Sequence, residues 1–253
     1  MSVTAASPQA RVAEVFRSWQ GEGLLLGKRQ VFVRLAGCEV GCRFCDTEWA
    51  FDTPARVAVP NRAGEHLSNP LSVAQVVDLV NAADPLDAPG GLASVTLTGG
   101  EPTEQLELLR ALCPALTPRE LMLETAGLNG PALHALAPWL RWIALDIKLP
   151  TASGLADALQ RHAEAFANGL PAGPEIFVKL VVDGDTPVSE LQAAADLLRA
   201  RLPSAPIFLQ PVSPLGGSPA LPAAHLDRLA EPLLAAGLDL RVVPQVHKVL
   251  KVR

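Results

Sequence analysis

The chain has 253 residues, 49% of them hydrophobic, and a formal net charge of −5. A chain of this size can bury a large core, and α/β barrels commonly reach this length, so one domain over residues 1–253 is expected. The acidic balance, without clustered Lys and Arg, argues against nucleic-acid binding.

Two segments argue against secretion and membrane insertion. Residues 1–11 have neither the basic nor the apolar region of a secretion signal, and we expect them to form a loose tail. Residues 202–226 contain no Asp, Glu, Lys or Arg, but six prolines in this stretch would interrupt a spanning helix.

Short runs rich in Val, Ile and Leu alternate with longer amphipathic segments, a pattern typical of βα units around a parallel sheet. The runs predict strands at Ala13–Phe16, Val31–Leu35, Ser94–Leu97, Glu120–Glu124, Trp142–Asp146, Ile176–Val182, Ile207–Gln210 and Leu240–Val243. The amphipathic segments predict helices at Val73–Ala82, Glu104–Cys113, Gly130–Leu136, Ala156–Asn168, Val188–Arg201 and Ala223–Ala235. Ser72 and Thr103 are predicted N-caps. Residues 51–70 lack periodicity and are expected to be a loop or small insertion.

Unusual polar residues follow the predicted strands. Three cysteines follow the second strand, and the next two strands are followed by Thr98-Gly99-Gly100-Glu101 and by Glu124-Thr125. The series continues with Asp146-Ile147-Lys148, Asp183, Gln210-Pro211 and Gln245. In a parallel barrel the strand C-termini open on one face, so the sequence predicts a single large pocket there.

The cysteines Cys38-x3-Cys42-x2-Cys45 place three potential thiolate ligands on a short loop. This spacing suits a 4Fe-4S cluster with one iron left open, whereas a structural zinc site would need a fourth Cys or His nearby. The remaining cysteine, Cys113, lies in an apolar helix and is predicted to pack in the core. Clustered cysteines favour a metal site in a reducing cytoplasm over a disulfide framework.

The cysteine spacing, with Phe44 before the last cysteine, resembles the signature of the radical S-adenosylmethionine superfamily. Thr98-Gly99-Gly100-Glu101-Pro102 is similar to the glycine-rich segment that receives the methionine amino group in that superfamily. The resemblance implies a partial (β/α)6-type barrel, in which S-adenosylmethionine binds the open iron and an electron donor such as flavodoxin or ferredoxin reduces the cluster.

A narrower resemblance begins at Phe16-Arg17-Ser18-Trp19-Gln20-Gly21-Glu22-Gly23 and runs through Arg34 and Cys45-Asp46-Thr47 to Pro244-Gln245-Val246-His247-Lys248. These segments resemble the 7-carboxy-7-deazaguanine synthase family. The resemblance implies a ring-contracting carbon–nitrogen lyase of queuosine-type 7-deazapurine biosynthesis. Such an enzyme converts 6-carboxy-5,6,7,8-tetrahydropterin to 7-carboxy-7-deazaguanine with loss of ammonia. It also implies a homodimer.

The resemblance implies roles for individual residues. The expected substrate contacts are Trp19, Gln20, Gly21, Glu22, Arg34 and Thr98, and Thr47 is expected to bind Mg2+. The expected S-adenosylmethionine contacts are Phe44, Gly100, Glu101, Glu124, Asp146, Ile147, Lys148, Lys179, Gln210, Pro211, Val212 and Ser213. Gln20 and Glu22 offer hydrogen-bonding groups that match a pterin edge, and Arg34 offers a fork for a carboxylate. His247 is either an acid–base group or a structural histidine, and a substrate contact from Arg253 stays open.

Two other functions remain compatible with the sequence. An activase of a glycyl-radical enzyme would use the same cysteine spacing, would consume S-adenosylmethionine and would not need Gln20, Glu22 or Arg34. A non-catalytic iron–sulfur or zinc module would instead hold a fully coordinated metal.

Overall fold

The computed structural model describes residues 7–87, 93–213 and 221–252. Its strands are β1 (Gln9–Ala10), β2 (Val12–Trp19), β3 (Arg29–Leu35), β4 (Arg56–Ala58), β5 (His66–Ser68), β6 (Leu71–Ser72), β7 (Ser94–Gly99), β8 (Leu121–Thr125), β9 (Trp142–Ile147), β10 (Glu175–Val182), β11 (Ile207–Pro211) and β12 (Leu240–Val242). The α-helices are α1 (Val73–Ala83), α2 (Leu106–Ala115), α3 (Gly130–Leu136), α4 (Pro150–Ser153), α5 (Ala158–Ala165), α6 (Val188–Arg201), α7 (Ala223–Ala235) and α8 (Val246–Leu250).

One large sheet organises the described residues. Its strand order is β12-β11-β10-β9-β8-β7-β3-β2, and every neighbouring pair is parallel except β2 and β3. The crossovers between the parallel strands from β7 to β12 carry the helices, as parallel pairing requires. The predicted α/β class with a mostly parallel sheet is confirmed.

The two faces of the sheet bury different kinds of side chain. On β9, Ile143, Leu145 and Ile147 belong to the main core between sheet and helices, while Ala144 and Asp146 point to the other face. That inner face begins with an apolar plug, in which Phe177 of β10 and Phe208 of β11 meet edge to face at 5.7 Å between ring centroids. Towards the carboxyl ends of the strands, the side chains on this inner face become polar. The inner face is therefore apolar and packed at one end and polar at the carboxyl ends of the strands.

The predicted strands and most predicted helices are found within a few residues of their expected bounds. The predicted helix Ala156–Asn168 is shorter, because α5 begins at Ala158 and ends at Ala165. Ser72 is confirmed as an N-cap, since its hydroxyl accepts from the Gln75 N–H and the Gln75 side chain accepts from the Ser72 N–H.

Thr103 is not an N-cap, contrary to the sequence-based prediction. A 3-10 turn occupies Pro102–Gln105, and α2 begins only at Leu106. The cap of the turn is Glu101, whose carboxylate accepts from both the backbone N–H and the hydroxyl of Thr103. Glu101 therefore caps the turn that precedes α2, and Thr103 is one of the residues that it caps.

The two segments predicted to be irregular contain short strands. Gln9–Ala10 pairs with Leu71–Ser72, so a loose tail over residues 1–11 is wrong for these positions, while residues 1–6 lie outside the described part. Within residues 51–70, β4 and β5 form an antiparallel hairpin, which agrees with a small insertion. No helix among the described residues is long and apolar enough to cross a membrane.

Candidate active site

A cavity of about 1050 Å3 opens at the carboxyl ends of the strands. Its walls combine segments far apart in the chain, including the loop after β2, the cysteine loop after β3 and the segments after β7, β9 and β11. The lining includes Cys38, Cys42 and Cys45. The convergence predicted from the positions of polar residues is therefore present in the structure.

The cysteine loop is held from several sides. The Gly37 N–H donates to the Ala50 carbonyl at 2.9 Å, and the Arg43 N–H donates to the Ser153 carbonyl at 2.8 Å. The Arg43 guanidinium also pairs with Asp183 at 2.6 Å. An apolar collar, formed by Val40 and Phe44 of the loop together with Ala126, Leu128 and Leu155, packs around Cys42. The loop is thus tied to the ends of other strands and shielded on one side from water.

Burial is the largest influence on two of the thiols, and it raises the pKa of Cys38 and of Cys42. Thiolate is the form that binds metal, so these thiols must lose their protons on coordination. No three or more His, Cys, Asp or Glu side chains among the described residues lie close enough together to hold a single metal ion. Three thiols on one loop that lines the cavity fit a cluster that takes three cysteine ligands.

The glycine-rich segment after β7 packs directly on the cysteine loop. A Cβ at Gly100 would lie 1.8 Å from the Gly37 carbonyl oxygen and 2.9 Å from the Cys38 Cβ. The Glu101 carboxylate then accepts from the Thr125 hydroxyl at 2.6 Å and the Ala126 N–H at 2.8 Å. Glu101 therefore fastens this segment to the end of β8, while the absent side chain at Gly100 allows the two loops to touch.

Glu22 is the centre of the largest polar network in the cavity. Its carboxylate pairs with Lys179 at 2.7 Å and accepts from the amides of Gln210 at 3.1 Å and Gln245 at 2.9 Å. Burial alone would raise the pKa of Glu22, but the attraction of Lys179 and His247 and the hydrogen bonds from Lys179 and Gln245 lower it to about 2. A permanently ionised carboxylate thus joins the N-terminal loop to β10, β11 and the C-terminal segment.

A second ionic group lies beside the first. Asp146 pairs through one oxygen with Lys148 at 3.0 Å and Lys179 at 3.0 Å. Burial alone would raise the pKa of Asp146, but the charges of Lys148 and Lys179 lower that pKa. Burial alone would lower the pKa of each lysine, but the negative charge of Asp146 is the largest of the influences that raise the pKa of both. Lys148 also lies 4.9 Å from the centre of the Phe44 ring.

Two buried oxygens in this region have no hydrogen-bond partner among the described residues. They are Oδ1 of Asp146 and Oε1 of Gln210, and both residues line the cavity. A buried polar atom without a partner costs free energy, roughly 1–3 kcal/mol. These oxygens therefore mark where a polar ligand with hydrogen-bond donors would be stabilised.

Gln20 and Arg34 are engaged with neighbouring side chains. The Gln20 amide donates to Glu124 at 2.8 Å and to Gln30 at 3.0 Å, and its oxygen accepts from the Glu22 N–H. The Arg34 Nε pairs with Glu14 at 3.1 Å, and the guanidinium lies 5.9 Å from the ring centre of Trp49. Both side chains are fixed in the cavity wall by these contacts.

The C-terminal segment closes against the motif near the N-terminus. The Val246 N–H donates to the Gly21 carbonyl at 3.0 Å, and Lys248 pairs with Asp46 at 3.0 Å. A Cβ at Gly21 would lie 2.4 Å from Nδ1 of His247. The next residue after Asp46, Thr47, lines the cavity and holds its hydroxyl 3.7 Å from the Cys45 sulfur.

Comparison with known proteins identifies the family. The chain is 34% identical over 252 residues to the 7-carboxy-7-deazaguanine synthase of Geobacter sulfurreducens, covering 96% of this chain and 98% of that protein. It is also 34% identical to that of Thermococcus kodakarensis, with 95% and 98% covered. This chain belongs to the 7-carboxy-7-deazaguanine synthase family. No protein-family model matches it.

Two solved structures share the fold of this chain. The crystal structure of QueE from Escherichia coli aligns with a TM-score of 0.58 at 23% identity, covering 92% of this chain and 93% of that one. A radical SAM methyltransferase from Sphaerobacter thermophilus aligns with a TM-score of 0.57 at 19% identity, covering 86% and 66%. The predicted partial barrel of the radical S-adenosylmethionine type is confirmed.

Most of the site residues predicted from the sequence line the cavity of this synthase-family chain. They are Trp19, Gln20, Gly21, Glu22, Arg34, Cys38, Cys42, Phe44, Cys45, Thr47, Thr98, Gly100, Glu101, Glu124, Asp146, Lys148, Lys179, Gln210 and Val212. The side chain of Ile147 packs in the core on the other face of the sheet, and the expected cofactor contact of this residue stays a prediction. Pro211 and Ser213 are buried outside the cavity lining, and Arg253 lies outside the described residues.

Several lining residues were not predicted to belong to the site. Trp49, Phe51, Arg56 and His66 come from the segment after the cysteines, and Lys251 comes from the C-terminal end. The available signal was the alternation of polar and apolar residues in β4 and β5. Each of these strands has only three residues, so the alternation is too short to be recognised from the sequence alone.

Proposed function

We propose that this chain is a 7-carboxy-7-deazaguanine synthase, a lyase that contracts the ring of 6-carboxy-5,6,7,8-tetrahydropterin and releases ammonia. The full-length relationship to synthases supports the activity. The observation that carries the proposal is that the three cysteines and the Gln20–Gly23 loop line the same cavity. A catalyst for a small molecule needs its reactive group and its substrate contacts in one enclosed space.

The cofactors of this synthase are a 4Fe-4S cluster, S-adenosylmethionine and Mg2+. Cys38, Cys42 and Cys45 would hold the cluster, because they supply three thiols on the apolar-collared loop, and Cys113 is buried in the core. When bound, the cluster and S-adenosylmethionine supply hydrogen-atom abstraction by a carbon radical. The chain's own contribution is to hold the reactants and to keep water away.

S-adenosylmethionine would bind along the ends of β7, β9, β10 and β11. Asp146 and Gln210 each offer an unpartnered buried oxygen, which suits the donor groups of this cofactor. Gly100 leaves room beside Cys38, and Phe44 and Lys148 form the adjoining wall. Glu101 would act mainly through position, because its carboxylate already accepts hydrogen bonds from Thr103, Thr125 and Ala126.

The pterin would bind between the Gln20–Gly23 loop and β3. Glu22 supplies an ionised carboxylate for the donors of the pterin edge, and its pKa of about 2 keeps it in that form at neutral pH. Trp19, Arg34 and Thr98 form the surrounding wall. Thr47 would hold Mg2+ through its hydroxyl, with water and substrate completing the shell of an ion that keeps several waters.

Three further properties belong to this proposal. The electron donor would be a small redox protein such as flavodoxin or ferredoxin, the enzyme would be a homodimer, and it would work in the cytoplasm. The three-cysteine cluster motif supports the need for a donor, because the cluster must be reduced before it can cleave S-adenosylmethionine. The family relationship supports the other two.

The test is turnover by anaerobically reconstituted protein. With a reductant, S-adenosylmethionine and 6-carboxy-5,6,7,8-tetrahydropterin, 7-carboxy-7-deazaguanine should form while S-adenosylmethionine is regenerated. Absence of this product would defeat the proposal. Consumption of S-adenosylmethionine without any dependence on the pterin would favour the activase, and a metal that ignores S-adenosylmethionine would favour a non-catalytic module.

A further inference from the structure

We propose that Arg56, on the β4–β5 hairpin, binds the carboxylate of the substrate and makes the enzyme specific for carboxylated pterins. This assignment rests on the proposed function, because it concerns the substrate of that same cavity. Arg56 lies in the segment after the cysteine loop and outside the motifs that mark the site in the sequence. The structure brings it to the cavity wall.

The two faces of the hairpin have different environments. In the ladder, Arg56 pairs with Ser68, Val57 with Leu67, and Ala58 with His66. Val57 is buried in the main core and Leu67 packs against it, while Arg56, Ala58 and His66 line the cavity. Alternate residues of a strand point to opposite faces, so burial of Val57 and Leu67 fixes Arg56 on the cavity side.

The hairpin is anchored to the body of the protein. The Asn69 amide donates to the carbonyls of Val12 at 2.8 Å and Pro54 at 2.7 Å, and its oxygen accepts from the Val12 N–H at 3.2 Å. The Asn69 N–H also donates to the Ala55 carbonyl at 3.0 Å. Arg56 therefore projects from a fixed wall, which lowers the entropic cost of binding an anion there.

The charges that line the cavity are mostly compensated within the protein. Lys179 and Lys148 pair with Asp146, Lys248 pairs with Asp46, and Arg34 pairs with Glu14. Among the described residues, no ion pair or side-chain hydrogen bond is found for Arg56. Lys251 also lines the cavity and has no ion pair among the described residues. It lies at the end of α8, near the end of the described chain, whereas Arg56 lies on a strand that is paired in a hairpin.

The pairing of Arg34 changes what that residue can contribute. Its charge is already balanced by Glu14, so a carboxylate beside Arg34 would meet a hydrogen-bond donor with little net positive charge. Arg56 retains its full charge and a planar fork that matches a carboxylate with two parallel hydrogen bonds. Arg56 is therefore the side chain that adds electrostatic selection for an anionic substituent to the attraction of the Mg2+ that Thr47 would hold.

The position of the hairpin favours the substrate over S-adenosylmethionine. β4 packs against β2, at the end of the sheet that also holds β3 and Arg34. The unpartnered oxygens of Asp146 and Gln210 belong to β9 and β11, further along the same sheet. A cofactor held at those strands leaves the β2 side, and thus Arg56, to the pterin.

The experiment compares two ligands that differ in one carboxylate. Holoenzyme would be titrated with 7-carboxy-7-deazaguanine, the product that retains the carboxylate, and with 7-deazaguanine, which lacks it. Arg56→Gln should weaken binding of the carboxylated ligand about tenfold, the scale of a charge-assisted hydrogen bond at a partly hydrated site. Binding of 7-deazaguanine should not change, and Arg56→Lys should recover part of the loss. In turnover, Arg56→Gln should raise KM with little change in kcat.

Arg62 supplies a matched control on the same hairpin. It pairs with Glu65 at 3.4 Å near the hairpin turn and does not line the active-site cavity, so Arg62→Gln should bind both ligands as the wild type does. Equal losses for both ligands in Arg56→Gln, unchanged affinity for the carboxylated ligand, or weakened S-adenosylmethionine binding would overturn the assignment. A wild-type enzyme that binds neither ligand would overturn the proposed function, and this assignment with it.

Discussion

His162 is a buried histidine that supports the cofactor side of the cavity without lining it. Its Nε2 accepts from the Lys148 N–H at 2.8 Å, and the side chain is fully buried beneath the end of β9. Burial lowers the pKa of His162 to about 3. Because an accepting Nε2 carries no proton, the neutral ring holds its hydrogen on Nδ1. His162 is therefore a positioning residue for the Lys148 backbone.

This burial predicts a specific acid sensitivity. A histidine whose pKa is lowered on folding stabilises the protein fully above its unfolded value of about 6.5, and this stability is lost as the pH falls towards about 3. Between pH 7 and pH 5 the cluster-free protein should lose about 2 kcal/mol of unfolding free energy through this group. In His162→Gln, whose amide oxygen can still accept from Lys148, that part of the loss should disappear.

The measurement is urea unfolding of the cluster-free protein at both pH values. His134, an exposed histidine on α3, provides the control, and His134→Gln should lose stability over this range as the wild type does. A His162→Gln variant that keeps the full pH dependence would show that another group is responsible.

At the scale of elements, the end of β7 and the cysteine loop form one packed unit. The Gly100 N–H donates to the Leu35 carbonyl at 3.0 Å, and the Glu101 N–H donates to the Gly37 carbonyl at 2.9 Å. These two hydrogen bonds hold the residues after β7 so close to the cysteine loop that no side chain fits at Gly100. The glycine-rich motif is thus needed for the cysteine loop to pack against the end of β7, in addition to any contact with a ligand.

Gly100→Ala should therefore displace the cysteine loop. The added methyl group would overlap the Gly37 carbonyl, so the variant should lose roughly 1–3 kcal/mol of stability and retain far less iron per chain after reconstitution. Iron and sulfide analysis with urea unfolding would measure both effects. Gly184→Ala is the control, because a Cβ there would meet only Leu221 at an ordinary 3.7 Å; equal iron content in the two variants would contradict the prediction.

At the scale of the whole molecule, the cavity is completed by segments from opposite ends of the described chain. The loop carrying Gly21 and Glu22 meets the segment carrying Gln245 and His247, and their side chains and backbones are hydrogen-bonded. Gly21 must lack a side chain because His247 occupies the space. The fit between these two segments should therefore control substrate affinity.

Gly21→Ala should push the C-terminal segment outwards and weaken binding of 7-carboxy-7-deazaguanine, by about tenfold if one charge-assisted contact is lost. Gly21→Ala combined with His247→Gly removes the whole His247 side chain, whose Cβ would itself lie 2.6 Å from the added methyl group, and should recover part of that affinity. His247→Gly alone measures any direct role of the imidazole. A double variant no better than Gly21→Ala would show that the steric contact is not the cause.

The strands and most helices followed from periodicity, because their apolar positions repeat over several residues and decide which face is buried. The hairpin of β4 and β5 did not, since a three-residue strand such as Arg56–Ala58 is defined by its partner more than by its own pattern. The cap at Thr103 was wrong for a related reason. The hydroxyl of Thr103 predicted that cap, but a 3-10 turn precedes α2, and Thr103 instead donates its N–H and its hydroxyl to the Glu101 carboxylate.

The sequence by itself predicted the cluster ligands, and it determined the order of βα units and the edge of the sheet at which polar residues gather. Cysteine spacing and strand periodicity are local properties, so they can be seen without a structure. Only the tertiary structure decided which charges are compensated: Glu14 lies beside Arg34, Lys179 joins Glu22 to Asp146, and Arg56 faces the cavity. Charge pairing depends on distances between residues far apart in the chain, and these distances exist only after folding.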